Sequence, residues 1–193
     1  LGDYLYKSKN AYCCFDSSDI EDCKYLTQVQ LRAKDSYDIY QFGINMELCY
    51  EGAMIGSNAT NVRFSHIAVG QVSNLTYCMQ CYSSSENFGC FGLKRNKFCI
   101  LNKQYSEADY FRLKAQIIEH MKQTGEYGEF FPLQYSPYGY NETSAALYFP
   151  LSKEQVQAKG WKCEDQLPGT YGKETLRELP ANMKTRVPQS SVV

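Results

Sequence analysis

The sequence predicts a mainly β protein: a short right-handed β-solenoid, similar to a parallel β-helix, capped by a C-terminal α-helix and followed by an irregular extended tail. Two series of residues and one alternation indicate it. Aromatic residues recur roughly every 13 residues, each follows a polar residue by two or three positions, and apolar residues alternate as in a strand. The aromatic series is Tyr12, Tyr25, Tyr37, Tyr50, Phe64 and Tyr77, and the polar series is Asn10, Asp22, Asp35, Glu47, Asn61 and Asn74.

A repeat of this length is too short for a helical hairpin and suits a strand, a turn and a second short strand. Each repeat is therefore interpreted as a half-coil, and two repeats as one coil of roughly 25 residues. Because the positions two residues from the aromatic ones are mostly apolar, as at Leu48, Val62 and Leu75, the aromatic rings are expected to point into the core with them. Asn favours the turns, since it tolerates left-handed backbone.

A helical pattern replaces the repeat after Ile100. Ser106 and Asp109 resemble a capping box that opens an amphipathic helix ending at Gly125, and Asn141 and Ser152 are expected to cap two short helices. The predicted domains are the solenoid at 1–104, a helical capping region at 105–163, and an extended tail or linker at 164–193 that contains Pro168, Pro180 and Pro188.

The composition excludes some classes of partner and location. With 20 Lys and Arg against 21 Asp and Glu, no long-range field attracts nucleic acid or an anionic membrane. No apolar run reaches the roughly 18 residues of a membrane span, and no signal-peptide pattern is visible. Nine cysteines are an odd number, so at least one has no intrachain disulfide partner. This slightly favours a reducing, cytoplasmic compartment, and the location is otherwise unknown.

The cysteines supply the candidate metal site. Cys78 and Cys81 form the single C-x-x-C pair, and Cys90 and Cys99 follow it. Four thiolates bind zinc tetrahedrally, which makes these four residues the predicted ligands and zinc the candidate cofactor. The second C-x-x-C pair of most zinc modules is absent. The alternative is that these cysteines fill a narrow interior as small apolar side chains, with no cofactor.

Other chemical motifs are weak. The sequence has no nucleophile elbow, phosphate loop or H-E-x-x-H pattern, so no catalytic residue is predicted. His66 and His120 are expected to be ordinary strand and helix residues. The acidic residues Asp16, Asp19 and Asp22 lack the spacing of a calcium-binding loop. One basic cluster is either a phosphate contact or a solvated sheet edge: Lys94, Arg95, Lys97 and Lys103.

Five segments of the chain carry a resemblance to a known group of proteins. They are Gly2–Asn10, Glu47–Glu51, Phe98–Tyr105, Gly128–Pro132 and Tyr140–Thr143. Together they resemble large uncharacterised proteins of candidate-phyla bacteria, which combine Cys/Asn/Tyr repeats with zinc-ribbon-like modules bearing paired C-x-x-C motifs. The resemblance implies that this chain is a portion of a longer protein, with the zinc-ribbon modules outside it, and it implies no particular activity.

This chain departs from that group by having fewer cysteines. Ala11, Leu26 and Ser36 occupy repeat positions where such proteins often carry Cys. The departure weakens any metal site built from the repeats.

Three hypotheses of function follow. The leading one is a non-enzymatic structural or protein-interaction solenoid module that engages a protein partner, or another copy of itself, through a rigid face or an exposed edge. The alternative is a zinc-stabilised module that binds nucleic acid through the basic cluster. The third is a carbohydrate-binding or carbohydrate-active β-helix. An exposed ladder of tyrosines would favour this third hypothesis.

Overall fold

The computed structural model describes residues 2–167 of the chain, so most of the predicted tail lies outside the described residues. The described part is mainly β, and its contacts divide the chain into two compact units between Pro132 and Leu133. The first unit contains the predicted β-solenoid together with one long helix. The described part of the second unit, 133–167, contains only short helices.

The strands of the first unit form one sheet system that winds around the solenoid. They are β1 (Gly2–Tyr6), β2 (Cys14–Ser18), β3 (Ile20–Glu21), β4 (Lys24–Gln30), β5 (Ala33–Lys34), β6 (Tyr37–Gly43), β7 (Met46–Glu47), β8 (Tyr50–Gly56), β9 (Ala59–Val69), β10 (Val72–Thr76), β11 (Met79–Tyr82), β12 (Ser85–Phe88), β13 (Lys97–Ile100) and β14 (Lys103–Gln104). All pairs are parallel except β13 with β14.

The pairing register shows that each repeat is a complete coil. Gly2 pairs with Cys14, twelve residues on, and Tyr37 pairs with Tyr50, thirteen residues on. The prediction of half-coils that join into coils of roughly 25 residues was therefore wrong, because a spacing in the sequence does not tell one turn from half a turn. About eight coils follow one another, at 2–13, 14–25, 26–38, 39–51, 52–64, 65–77, 78–89 and 90–101.

Each coil closes in so few residues because every third residue has left-handed backbone. In the second coil the left-handed residues include Asp16, Asp19 and Asp22, and the residue after each of them points inward. A left-handed residue turns the chain sharply, and Asn and Asp adopt this conformation more readily than most residues. We call these positions corners. The inward residues therefore recur every three positions, not every two as the strand alternation predicted.

The interior is narrow and is filled by small or aliphatic side chains. They include Leu26, Val29, Ile39 and Leu75, all nearly inaccessible to solvent. Serines also point inward, and their hydroxyls complete the main-chain bonding between coils. Ser36 Oγ, for example, donates to Lys34 O at 2.9 Å and accepts from Cys49 N at 3.2 Å in the next coil. Buried polar groups need such partners, because an unpaired one costs stability.

The last coil has its edge covered by the chain that follows it. Strand β14 pairs with β13 in the antiparallel sense. The side-chain amide of Asn102 satisfies main-chain groups that a further strand would otherwise bond: it accepts from Phe91 N and donates to Phe91 O, each at 2.8 Å. Covering an edge in this way removes a template for uncontrolled strand pairing.

The predicted long helix is present as α1 (Glu107–Gln123) and packs on the side of the later coils. Ser106 Oγ accepts from Asp109 N at 3.2 Å, so the predicted N-terminal cap is confirmed. Its inner side contributes Tyr110, Leu113, Ile117 and Met121 to a cluster with rings of the solenoid, which confirms the predicted apolar face. Gly125 follows the helix with left-handed backbone.

The second unit holds two turns of 3-10 helix, Leu133–Tyr135 and Tyr140–Glu142, and two short helices, α2 (Ala145–Tyr148) and α3 (Lys153–Ala158). Ser152 caps α3 in a capping box, as predicted. The predicted cap at Asn141 was wrong: its side chain instead bonds the main chain of Glu164.

Candidate functional site

The four cysteines predicted to bind zinc all lie inside the last two coils. Cys78 and Cys81 are in the seventh coil, Cys90 and Cys99 are in the eighth, and all four are buried. Their thiols donate to main-chain carbonyls, as Cys78 Sγ does to Asn87 O at 3.4 Å. Side-chain hydrogen bonds to Cys81 and Cys90, together with burial, raise the pKa of Cys78. The fold thus brings these thiols into one interior.

Their surroundings are those of buried filler side chains in the other coils. Cys23 and Cys49 also face inward, and burial raises the pKa of each thiol to about 11, so both are uncharged thiols at neutral pH. Within residues 2–167, no three His, Cys, Asp or Glu side chains are grouped so that they could hold a metal ion. The zinc site stays a prediction that this geometry does not support, and elemental analysis of natively purified protein tests it.

The remaining charged candidates do not converge. Asp16, Asp19 and Asp22 occupy three successive corners of one coil and so lie on different sides of it. In the basic cluster, Lys97 Nζ lies 4.3 Å from the centre of the Phe98 ring. Burial lowers the pKa of His66 in β9, which disfavours its charged form. Each of these groups has an ordinary structural environment.

The aromatic series forms a continuous band along one outer face of the solenoid, which we call the tyrosine face. It carries one ring in each of the first six coils, at Tyr12, Tyr25, Tyr37, Tyr50, Phe64 and Tyr77. The prediction that these rings fill the core was wrong. Left-handed corners at every third residue turn only the residue after each corner inward, so the aromatic side chains point outward. One edge of the face, which we call the polar corner, carries most of the predicted polar series. Asn10 bonds Asp22, and Asn61 bonds Asn74, which in turn bonds Glu86. The predicted member Glu47 lies beside this corner, which Leu48 occupies in the fourth coil.

The later coils of this face are covered by the chain after the solenoid, and we call them the covered half. Phe64, Tyr77, Phe88 and Ile100 are buried there against α1 and the segment 124–132 that follows it. The rings of Phe64 and Tyr77 stack with centroids 4.8 Å apart. The Tyr77 hydroxyl accepts from Gly128 N at 2.9 Å, so the segment is held to the face by a polar bond as well as by packing.

The first four coils, the open half, leave the same face in solvent. Tyr12, Tyr25, Tyr37 and Tyr50 are between 38% and 50% exposed, whereas Phe64 and Tyr77 are 3% and 7% exposed. The Tyr12 and Tyr25 rings meet edge to face at 5.8 Å. Tyrosine combines a large apolar surface with a polar hydroxyl, and it is enriched where proteins bind partners. The open half is therefore the strongest candidate binding surface among the described residues.

The open half is also acidic. Asp38 and Glu51 follow Tyr37 and Tyr50 at one corner, and Glu129 of the covering segment lies near Glu51. Burial and the charges of Asp38 and Glu129 raise the pKa of Glu51, and burial raises the pKa of Asp38. The salt bridges found among the described residues include none of these three carboxylates.

A groove runs beside the exposed rings where the open half meets the covering segment. Its volume is about 380 Å³, and Tyr37, Leu48, Tyr50, Arg63 and Tyr127 line it. Apolar walls with a few polar groups are typical of binding grooves. The open half thus offers both a flat band of rings and a concave margin.

No family model, curated protein or solved structure matches the chain. The resemblance to the repeat proteins of candidate-phyla bacteria therefore stays a prediction, and only the geometry of this chain indicates its function. None of the helices among the described residues is both long and apolar enough to cross a membrane.

Proposed function

We propose that this chain is a non-enzymatic solenoid module that binds another protein through the open half of its tyrosine face. The observation that carries the proposal is the contrast along one face: rings of the same series are buried under α1 in the later coils and exposed in the first four. Neighbouring coils are joined by main-chain hydrogen bonds, so the backbone that carries the exposed rings needs no ordering when a partner binds.

Position-resolved cross-linking in the producing cells tests this proposal. A photo-reactive amino acid in place of Tyr37 should capture one protein reproducibly, and the same amino acid in place of Tyr40 should not. Tyr40 is a matched control because it is similarly exposed, at 43% against 38%, and lies on the neighbouring face. Equal capture at both positions, or capture at neither, would contradict the binding of a protein by the tyrosine face.

A carbohydrate chain is the second candidate ligand, because the exposed tyrosine ladder is the observation that this hypothesis required. Aromatic rings and carboxylates along a groove suit stacking and hydrogen bonding to sugars. Affinity electrophoresis in gels containing soluble polysaccharides is the test. Retardation of the native chain that disappears in Tyr25→Ser and persists in Tyr40→Ser would favour carbohydrate over protein.

A further inference from the structure

The covered half shows what kind of structure this face binds. Helix α1 presents Tyr110, Leu113, Ile117 and Met121 to the solenoid, which is the spacing of one helical stripe. Tyr110 is fully buried and packs against Phe98 with ring centroids 5.7 Å apart. The same face therefore already has one amphipathic helix as its natural occupant.

The open half continues the covered half in both backbone and side chains. The ring series runs without a break from one half to the other, since Tyr50 meets Phe64 edge to face at 5.5 Å across the junction. The stacked polar residues are interrupted there, because Leu48 occupies the corner in the fourth coil. The groove at the junction is bounded by Tyr127 and Gly128 of the covering segment. An occupant of the open half would therefore lie on the same face as α1, with its end near that segment.

The two halves of the tyrosine face differ in net charge, and the charge of the open half determines which charge a ligand should carry. The outward groups of the covered half include one cation and one carboxylate, Arg63 and Glu86, and the attraction of Glu86 partly opposes the lowering of the Lys114 pKa that burial causes in α1. On the tyrosine face itself the open half has one cation, Lys24, whose Nζ lies 5.5 Å from the centre of the Tyr37 ring. Its carboxylates, with the nearby one of the covering segment, are Asp22, Asp35, Asp38, Glu51 and Glu129.

We propose that the open half of the tyrosine face binds a cationic amphipathic helix of a partner protein, side by side with α1. This inference rests on the proposed function and names the chemistry of the partner. The apolar stripe of the helix would lie on Tyr12, Tyr25, Tyr37 and Tyr50, as the stripe of α1 lies on the covered rings. Its Lys and Arg side chains would pair with the corner carboxylates. A second copy of this chain fits less well, because two acidic faces repel each other.

A designed peptide tests the proposal on the intact chain. The probe is a fluorescent peptide of about 18 residues with Leu at i, i+3, i+4 and i+7 and Lys at the other positions. We expect binding with Kd on the order of 10 μM at low salt, weakened several-fold at about 0.5 M salt because the contacts are charged. The circular dichroism of the peptide should become more helical on binding.

Matched variants separate a specific site from general attraction. Asp38→Asn with Glu51→Gln should weaken binding about tenfold, and Asp16→Asn with Asp19→Asn should leave it within about twofold, although both pairs remove two charges. Asp16, Asp19 and Asp38 all have left-handed backbone, which Asn tolerates, so the folds should survive equally. Tyr37→Ser should likewise weaken binding more than Tyr40→Ser.

The outcomes distinguish this inference from the function on which it rests. Equal weakening by both charge-removing pairs, or no binding at millimolar peptide, overturns the cationic helix. If cross-linking at Tyr37 still captures one protein, the interaction function stands with a partner of different chemistry. If the native chain instead binds a polysaccharide that Tyr25→Ser abolishes, the ligand is carbohydrate and both proposals fail.

Discussion

The two halves of the tyrosine face have the same backbone but differ in burial. In the covered half, Phe64 and Tyr77 stack on each other and are buried under α1, whereas in the open half Tyr25 and Tyr50 remain in solvent. The columns of side chains differ mainly in charge, since carboxylates are frequent beside the exposed rings and rare beside the buried ones. Each coil thus presents the same backbone surface. Its outward residues determine whether that surface is covered by α1 or remains in solvent.

The interior of the coils shows no such contrast. Leu26 lies under the open half and Leu75 under the covered half, and both are fully buried. In both halves an inward serine hydroxyl accepts from a main-chain N–H of the next coil, as Ser17 does from Val29 and Ser65 does from Cys78. The stability of the solenoid itself is therefore spread along its length, and the tyrosine face adds to it only where α1 covers it.

The largest difference expected between the halves comes from removing one ring in each. Tyr77→Ala removes the stack on Phe64 and the hydroxyl bond to Gly128, and should cost about 4 kcal/mol of unfolding free energy. Tyr25→Ala should cost about 1 kcal/mol, because its ring is half exposed. Both residues have left-handed backbone, with φ of 55° and 57°, so the backbone penalty of Ala cancels in the comparison.

Urea unfolding followed by circular dichroism measures both losses. Tyr77→Phe is the control for the hydroxyl and should cost about 1 kcal/mol. Losses of similar size at Tyr25 and Tyr77 would show that the open half is packed in solution, which would remove the basis for a binding role.

A smaller effect is expected at the polar corner. Asn74 donates to Glu86 and accepts from Asn61, each at 2.6 Å, and has left-handed backbone. Asn74→Ala should therefore cost about 2 kcal/mol, from the lost bonds and from the strain of Ala at this backbone. In the open half, Asn10→Ala should cost only about 1 kcal/mol, because the bond from Asn10 to Asp22 is exposed.

The Gly variant separates the two causes. Asn74→Gly relieves the backbone strain and should recover about half of the loss in the same urea experiment. If Asn74→Gly is as unstable as Asn74→Ala, the side-chain bonds alone account for the effect.

The sequence was sufficient to predict the repeat, the turns at the Asn and Asp positions, and the long helix. The Asn and Asp series marks left-handed positions such as Asn10, Asp22 and Asp35 because few other residues adopt that backbone easily. The cap at Ser106 and the apolar stripe of α1 were predicted because helix signals are local. Each of these features depends on residues close together in the chain.

The direction of the rings and the site itself could not be predicted in the same way. A period of three is hard to see when the inward positions hold Ser36, Cys49 and Ala59, since such small residues give little hydrophobic contrast. Burial of Tyr77 depends on a segment about fifty residues further along the chain, at Gly128. One signal was available: the carboxylates beside Tyr37 and Tyr50 would be costly in a core, and they indicate rings that face solvent.

The smallest expected effect is a dependence of stability on pH that comes from the open half. Burial raises the folded-state pKa of Asp38, and burial with the neighbouring carboxylates raises that of Glu51, from ordinary values of 3.8 and 4.5. A raised carboxyl pKa means that the folded chain holds the proton more tightly than the unfolded chain. These two groups therefore destabilise the fold at neutral pH, and the penalty fades as the pH falls through the folded pKa towards the unfolded one.

Asp38→Asn with Glu51→Gln should consequently be slightly more stable than the native chain at neutral pH, by roughly a few tenths of a kcal/mol, because Asp38 is exposed and Glu51 is only partly buried. The difference should shrink as the pH is lowered through the folded pKa values and vanish below the unfolded ones, since the native carboxyls are then protonated in both states. Asp109→Asn is the control and should be less stable than the native chain at neutral pH, because hydrogen bonds from Arg112 and Ser106 lower the pKa of Asp109. A bound cationic helix should abolish the gain at neutral pH, since it would neutralise the same two carboxylates; a gain unchanged by saturating peptide would place the peptide elsewhere on the solenoid.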